Sequence, residues 1–331
     1  MSINEIIHNQ IFSILPPNIV TVLGRIPVSR AASITEIRLR VDKPLLLVLG
    51  TEDFMISLEG RLIQDAQYAC FCTQEDIGRT FQLICRNSIY ALEQELKMGF
   101  ITVKGGHRIG LAGQAIMKDG ELKAIKNISS LNIRLAREVK GCCDLVLPYI
   151  INGEKKVWST LIISPPRCGK TTILRDLIRT LSTRSSSFKG VQIGVVDERS
   201  EIAACLNGVP TVDLGVRVDV LDGCPKSEGM LILIRSMSPQ VIATDELGRQ
   251  EDAYAVREAL NAGISVIATV HGQDVDEVAN RPYVGELVKG RFFERYIILS
   301  DSPTIGTIKE IIEVKTGDSL YLHRQGVKAC G

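Results

Sequence analysis

The spacing of apolar residues changes along the chain, and the first 150 residues mix helical and strand periods. Apolar residues recur at helical intervals between Ile3 and Leu15, which predicts an amphipathic helix that ends at Pro16, with a second short helix after it. Residues 36–41 alternate between apolar and polar side chains, as a half-buried strand does. The same criteria predict a strand at 45–49, a helix from Thr73 to about Met98, strands within 100–113 around a turn at Gly105-Gly106, and a strand at 132–137. Together these elements predict a small α+β domain.

The pattern changes at Trp158, after which apolar runs of strand length alternate with helical periods. Such alternation predicts an α/β domain with a mostly parallel sheet covered by helices. Predicted strands cover 160–163, 192–196, Val241–Thr244, 265–269 and 296–299, and predicted helices cover 170–181, Lys226–Ser236 and 249–261. Residues 152–156 read as a polar turn, so we divide the chain into an α+β domain at 1–150 and an α/β domain at 151–331.

One segment of the second domain carries the chemistry of a phosphate-binding loop. The apolar strand at 161–163 leads through a short loop to Gly169, Lys170 and Thr171 at the start of a helix. In such loops a glycine lets the backbone approach phosphate oxygens, a lysine bridges the terminal phosphates, and a threonine hydroxyl binds Mg²⁺. Amides at a helix start also attract anions. The sequence therefore predicts a site for ATP and Mg²⁺ whose nucleotide-binding residues are Ser164, Pro165, Pro166, Arg167, Cys168, Gly169, Lys170, Thr171 and Thr172.

Two positions of this loop depart from the pattern G-x-x-x-x-G-K-[ST]. Ser164 replaces the first glycine, and Arg167 stands where many such loops carry glycine. If the backbone at Arg167 has a positive φ, a non-glycine residue there costs about 1 kcal/mol or more. The arginine side chain then either crowds the phosphates or turns outward and adds positive charge. Cys168, in the same loop, is the cysteine that we expect to be most accessible to thiol reagents.

A buried strand at Val241–Thr244 ends in two carboxylates, Asp245 and Glu246. The carboxyl ends of parallel strands face the ligand crevice of an α/β sheet. Asp245 is therefore predicted to hold Mg²⁺ together with Thr171, and Glu246 is predicted to orient and activate the attacking water. A strand followed by an acidic helix cap is the alternative, and the phosphate loop in the same domain favours the functional interpretation.

Two further strands end in polar side chains. Asp197 and Glu198 follow one strand, and Thr269 and His271 follow another. Three polar strand ends in one sheet favour a shared site, where Glu198 and His271 polarise water or sense phosphate. The alternatives are a salt-bridged loop for the acids and a structural role for the histidine.

Arginines are candidates for a positive group that reaches phosphate from another domain or subunit. Arg108, Arg134 and Arg137 lie in the first domain, and Arg217 and Arg235 lie in the second. An arginine finger of this kind stabilises the charge that develops during phosphoryl transfer. The alternative for each is solvated surface charge, which is the usual state of arginine.

Composition narrows the functional classes. The 331 residues include 39 Lys+Arg and 38 Asp+Glu, so the net charge is +1 and no basic surface for nucleic acid is predicted. No segment approaches the roughly 18 apolar residues of a membrane span, and the N-terminus lacks a secretion signal. We therefore expect a cytoplasmic protein without an integral membrane segment. None of the nine cysteines forms a Cys-x-x-Cys pair, which argues against zinc.

Short blocks spread over most of the chain resemble those of one protein family. They lie at 99–102, 105–108, 132–138, 196–203, 220–226, 235–239 and 245–248. On these blocks the chain resembles the stage III sporulation protein AA family of endospore-forming bacteria, which is similar to the hexameric P-loop ATPases of type II and type IV secretion. The resemblance implies a RecA-like P-loop core. It also implies that Glu198, the Asp245–Glu246 pair and His271 occupy the acidic-box, Walker B and histidine-box positions.

The same resemblance implies a function. It implies an ATPase in the mother-cell cytoplasm that forms a homo-oligomeric ring, a hexamer in the secretion enzymes. Such a ring would be peripheral to the membrane, bound through the membrane proteins of a sporulation channel. Two alternatives share the core: Arg167 suggests a nucleotide-binding scaffold with little turnover, and near-neutral charge disfavours a nucleic-acid translocase. Hydrolysis stimulated by DNA or RNA and suppressed by salt would support the translocase.

Overall fold

The computed structural model describes residues 10–50, 52–85, 99–118, 120–136, 139–152, 156–183 and 188–323. The chain divides into two compact units, Met1–Arg137 and Glu138–Gly331. This division precedes the boundary predicted after residue 150, because Cys143, Val146 and Ile150 are buried in the core of the second unit. Some predictions lie wholly or partly outside the described residues. They are the start of the first predicted helix, residues 86–98 of the helix predicted to Met98, most of the polar turn at 152–156 and the candidate Arg137.

The first unit combines short helices with antiparallel strands. Its strands are β1 (Ile34–Arg40), β2 (Lys43–Pro44), β3 (Leu46–Leu49), β4 (Glu52–Ile56), β5 (Leu62–Ile63), β6 (Phe71–Cys72), β7 (Phe100–Val103), β8 (His107–Lys118) and β9 (Glu121–Arg134). Its helices are α1 (Pro17–Gly24), α2 (Val28–Ala31) and α3 (Gln74–Ile84), with 3-10 turns at Phe12–Ile14 and Ala66–Tyr68. Seven strands form one sheet in the order β5-β4-β3-β1-β9-β8-β7, and β2 pairs with β6.

Alternation along β1 places one face of this sheet in the core. Ile37 and Leu39 are fully buried, and Ile133 lies opposite Ile37 on β9. Each such side chain contributes about 1.5–3 kcal/mol of hydrophobic stabilisation. The turn predicted at Gly105-Gly106 joins β7 to β8, and both glycines have a positive φ. The strand predicted at 132–137 is wrong in its bounds, since β9 runs from Glu121 to Arg134 beside β8.

The helix predicted to begin after Thr73 is confirmed by its N-terminal hydrogen bonds. The Thr73 hydroxyl accepts from the Asp76 amide at 3.1 Å, and the Asp76 carboxylate accepts from the Thr73 amide at 2.8 Å. This reciprocal pair is a capping box, which satisfies two amides that the first helical turn leaves unpaired. α3 ends at Ile84 with Cys85 as its C-cap, so the prediction of one unbroken helix to about Met98 is wrong.

The second unit has the alternating strands and helices predicted for it. Its strands are β10 (Thr160–Ser164), β11 (Ile193–Asp197), β12 (Val218–Asp222), β13 (Val241–Thr244), β14 (Ser265–His271), β15 (Arg295–Ser300), β16 (Thr307–Glu313) and β17 (Ser319–Leu322). Its helices are α4 (Leu147–Ile150), α5 (Lys170–Ser182), α6 (Lys226–Ser236), α7 (Gln250–Asn261), α8 (Val275–Ala279) and α9 (Val284–Lys289). Among all the described helices of both units, none is long and apolar enough to span a bilayer.

These eight strands form one sheet in the order β12-β11-β13-β14-β10-β15-β16-β17. The pairs from β12 to β15 are parallel, and β16 and β17 add antiparallel strands at one edge. Every residue of β10, β11 and β13 is buried, as expected for strands covered on both faces. Because β14 lies between β10 and β13, its carboxyl end separates the phosphate loop from the acidic strand end.

Candidate functional site

The predicted phosphate loop joins β10 to α5 by a tight turn. β10 ends at Ser164, which is fully buried and whose hydroxyl donates to the Pro165 carbonyl at 2.8 Å. Gly169 precedes α5 in the left-handed conformation, with φ of 84°. Glycine adopts this conformation without strain and has no side chain to cap the helix. The first amides of α5 therefore need acceptors from elsewhere, which is the arrangement that binds anions at helix starts.

Arg167 also has a left-handed backbone, with φ of 64°. From the sequence we expect strain if φ at this position is positive, and it is. The strain costs about 1 kcal/mol for a non-glycine residue. The Arg167 side chain is exposed. Cys168, in contrast, is buried with 3% of its surface exposed, and its thiol donates to the Pro166 carbonyl. The expectation that Cys168 is accessible is wrong, and burial raises the pKa of its thiol.

Lys170 lies in a cluster of charged side chains at the carboxyl edge of the sheet. Its Nζ is 3.2 Å from Glu246 Oε1 and 3.4 Å from His271 Nε2. His271 Nε2 is also 2.8 Å from Glu246 Oε1, and Arg199 Nη1 is 2.9 Å from Glu246 Oε2. Burial by itself raises the pKa of Glu246, but hydrogen bonds from Lys170 and His271 outweigh it and lower the pKa. The carboxylate is therefore ionised at neutral pH.

Asp245 is held by hydroxyl groups from two neighbouring elements. Thr171 Oγ1 donates to Asp245 Oδ2 at 2.6 Å, and Thr269 Oγ1 donates to Asp245 Oδ1. The Glu246 amide in turn donates to Thr269 Oγ1 at 2.9 Å. A hydroxyl and a carboxylate are hard oxygen ligands, and Mg²⁺ is usually bound by one or two carboxylates together with substrate phosphates. The Thr171–Asp245 pair thus fits the metal role that the sequence predicts.

Glu198 lies near this cluster but has basic partners of its own. Lys226 Nζ bonds to Glu198 Oε2, and Arg249 Nη1 is 3.7 Å from Glu198 Oε1. Glu198, Lys226, Asp245 and Glu246 line a common cleft. Asp197, one residue before, is almost fully buried and accepts three backbone amides, those of residues 201–203. Asp197 therefore fixes the loop that presents Glu198 and Arg199.

His271 is the last residue of β14, between the phosphate loop and the acidic pair. Its Nδ1 is buried and has no hydrogen-bond partner among the residues that the structure describes. Buried polar atoms are rarely left unpaired unless they serve a function or bind water. Together with the contact of Nε2 to Glu246, this places His271 in the cluster that the sequence predicts.

Sequence reasoning missed three basic residues of the site: Arg199, Lys226 and Arg249. The signal for Arg199 was present, since it follows Glu198 directly at the end of β11. Lys226 and Arg249 begin or precede helices, positions that sequence reading assigns to helix caps. Their pairing with Glu198 depends on how α6 and α7 pack against β11, which local pattern does not specify.

The arginine candidates have identifiable contacts. Arg108 and Arg134 lie directly opposite each other on β8 and β9. The Arg108 guanidinium lies 4.9 Å from the centre of the Phe100 ring, and Arg134 Nε is 3.6 Å from Glu36 Oε1. Arg137 lies outside the described residues.

The two candidate arginines of the second unit donate to backbone carbonyls. Arg217 donates to the Ser182 carbonyl at 2.9 Å, and Arg235 donates to the Leu231 carbonyl at 3.0 Å. Ser182 ends α5, at the opposite end of that helix from Lys170. Arg217 is therefore placed by the fold of this unit, at a distance from the phosphate loop.

The chain matches the protein family described as sporulation stage III, protein AA, over residues 6–319. It belongs to that family. The resemblance predicted from the sequence blocks is thereby confirmed. The stage III sporulation protein AA of Bacillus subtilis (strain 168) is 42% identical over 323 residues, which cover 97% of this chain and 100% of that protein.

Two solved structures show which fold the family shares. The Legionella pneumophila ATPase DotB superimposes with a TM-score of 0.51 at 15% identity, over 80% of this chain and 71% of DotB. The pilus retraction motor PilT, solved with bound ADP, superimposes with a TM-score of 0.53 at 16% identity, over 90% of this chain and 77% of PilT. At such identities the likeness concerns the fold, and the predicted RecA-like P-loop fold with an N-terminal α+β region is confirmed.

Proposed function

We propose that this protein is a Mg²⁺-dependent ATPase of the secretion-ATPase type, which energises a membrane channel or assembly apparatus between mother cell and forespore. The observation that carries the proposal is the meeting of Lys170, Glu246 and His271 within 3.4 Å of one another, beside the Thr171–Asp245 pair. Phosphate-binding lysine, metal-binding oxygens and a water-orienting carboxylate are the parts that phosphoryl transfer requires. Membership of a sporulation family and the shared fold of secretion ATPases support the cellular setting.

Each residue has a role that its chemistry suits. Lys170 and the amides of α5 bind the phosphates, while Thr171 and Asp245 hold Mg²⁺. Bound Mg²⁺ supplies positive charge that neutralises the phosphate oxygens during transfer. Glu246, ionised and fixed by its backbone bond to Thr269, orients the attacking water and accepts its proton. His271 and Glu198 polarise that water or respond to the terminal phosphate.

A ring would complete the site with an arginine from a neighbouring subunit. Arg108, Arg134 and Arg137 are the candidates, because an arginine finger stabilises the charge of the transition state. Closed cyclic symmetry suits a contribution from one subunit to the next, and we expect a homo-hexamer. We place this ring in the mother-cell cytoplasm, peripheral to the membrane and bound to membrane proteins of a sporulation channel.

Arg167 favours a second candidate function, a nucleotide-binding scaffold with little turnover. A non-glycine residue at this positive φ raises the free energy of the loop conformation that glycine would adopt freely, which is a reason for weak nucleotide binding and turnover. In this alternative ATP acts as a ligand that promotes assembly.

Phosphate release from Mg²⁺–ATP by the purified chain, measured over a series of protein concentrations, tests the proposal. We expect turnover per subunit to rise with concentration and to disappear in Lys170→Ala. Turnover independent of concentration would contradict a shared site, and nucleotide binding without lysine-dependent turnover would support the scaffold. Adding DNA or RNA at low salt tests the translocase, which predicts stimulation.

A further inference from the structure

The turn between β15 and β16 lies against the phosphate loop. A Cβ atom built on Gly169 would be 3.4 Å from Gly306 Cα and 3.8 Å from Ile305 Cγ2. Ile305 is 71% exposed. A single exposed aliphatic side chain is ordinary on a protein surface. Its position here is informative, because it stands beside the glycine that opens the anion-binding start of α5.

The order of strands shows on which side of the phosphate loop this turn lies. β10 lies between β14 and β15. Asp245, Glu246 and His271 all lie on the β14 side, where β13 and β14 end. A nucleotide that places its terminal phosphates and Mg²⁺ beside those residues extends its ribose and base the opposite way. We expect that path to lead over Gly169 towards the turn after β15.

Hydrogen bonds on either side of Ile305 order the backbone of the turn. The Thr307 hydroxyl donates to the Thr304 carbonyl at 2.7 Å, and the Thr307 amide donates to the same carbonyl at 3.1 Å. The Ser302 amide donates to Ser300 Oγ at 3.1 Å. A surface that is ordered before the ligand arrives loses little conformational entropy on binding, so its contacts add directly to affinity.

Resting on the proposed function, we infer that Ile305 is the residue against which the base of the bound nucleotide packs. Its side chain offers van der Waals surface and no hydrogen-bonding group, so it stabilises a purine ring whatever its exocyclic groups are. This contact increases the affinity for ATP and GTP equally, so any selection of adenine depends on other groups. Ile305 is thus an affinity determinant for nucleosides rather than for phosphates.

Calorimetric titration of the full-length protein with two Mg²⁺-loaded probes separates these contributions. The first probe is AMP-PNP, which carries a base, and the second is inorganic tripolyphosphate, which does not. In Ile305→Ala we expect the Kd for AMP-PNP to rise about five- to tenfold, from the loss of apolar contact. The Kd for tripolyphosphate should stay within about twofold of the wild-type value on the same reasoning, since the phosphate contacts are unchanged.

Val216→Ala is the matched control, because Val216 is an exposed aliphatic residue of the same unit, next to the Gly215 that packs against Ser182 at the far end of α5. It should alter neither titration. An unchanged Kd for AMP-PNP in Ile305→Ala overturns the inference, and so does an equal loss for both probes, which would mean that the turn shapes the phosphate loop instead. If the wild-type protein binds neither probe, the proposed function fails and this inference fails with it. Loss of both in Lys170→Ala assigns the measured binding to this loop.

Discussion

In the first unit the buried polar side chain of His107 has two close partners, whereas in the second unit Glu246 lies among three basic groups. His107 Nδ1 accepts from the Ala136 amide at 3.0 Å, and its Nε2 is 2.7 Å from Gln10 Oε1, so burial keeps the ring neutral. Glu246 remains charged beside Lys170, Arg199 and His271. Complete pairing of neutral groups suits stability, while a dense cluster of charges in a cleft suits chemistry.

The largest expected effect is on the charged cluster. Glu246→Gln should lower ATP turnover by about 10²–10⁴-fold, since it removes the group that we propose accepts a proton from water. Binding of Mg²⁺–AMP-PNP should persist, because Lys170 and the α5 amides are intact. Glu286→Gln, at an exposed residue paired with Arg257, is the control. Full turnover in Glu246→Gln would remove this residue from the mechanism.

Acid should affect the neutral histidine of the first unit. Burial lowers the pKa of His107 to about 4, below its ordinary 6.5, so the unfolded chain binds a proton first as the pH falls. The associated stability is complete above pH 6.5 and is lost as the pH falls through 4, by about 3 kcal/mol in total. Thermal unfolding of wild type and His107→Gln between pH 7 and 4.5 measures it. We expect the variant to lose less, and identical slopes would contradict this role.

A smaller effect is expected at the capping box of α3. Thr73→Ala should lower the free energy of unfolding by about 1 kcal/mol, because the Asp76 amide loses its acceptor. Thr73→Ser keeps the hydroxyl and should retain most of the stability. Denaturant unfolding of the three proteins measures the difference, and nucleotide affinity should stay constant. A loss as large in Thr73→Ser would show that the threonine methyl, rather than the cap, matters.

The smallest effect is expected at Arg167, a residue of the phosphate loop with a strained backbone. Because Arg167 is exposed and none of the proposed roles in turnover uses its side chain, Arg167→Gly should change ATP turnover by less than about twofold, well below 1 kcal/mol in barrier height. Steady-state phosphate release from both proteins measures the change. A rise of tenfold or more would mean that the arginine impairs the loop, and it would favour the scaffold function.

The sequence predicted the parallel strands of the second unit well, because β10, β13 and β14 are apolar runs buried on both faces. β12 escaped prediction since Val218–Asp222 alternates with acids and is only partly buried at the edge of the sheet. The sequence predicts β8 and β9 too short, because Lys, Asn and Ser are frequent in the second half of this hairpin. Such residues read as loop when their partner strand is unknown.

The sequence likewise predicted some residues of the candidate site and missed others. Lys170, Asp245, Glu246 and His271 were predictable, because each ends or follows a buried strand or opens a helix, and parallel strands align those ends at one edge. The contacts of Glu198 with Lys226 and of Glu246 with Arg199 were not, since they depend on side chains meeting across elements. Burial of Cys168 likewise depends on how the loop folds back on Pro166.

The ion pair between Lys170 and Glu246 has a consequence for which anions the protein admits. A carboxylate 3.2 Å from the amine that we propose binds phosphate is a competitor for it. An anion of low charge, such as inorganic phosphate, gains little by displacing that competitor, whereas a triphosphate brings enough charge to do so. In the proposed site, the protein's own carboxylate therefore favours anions of high charge over those of low charge.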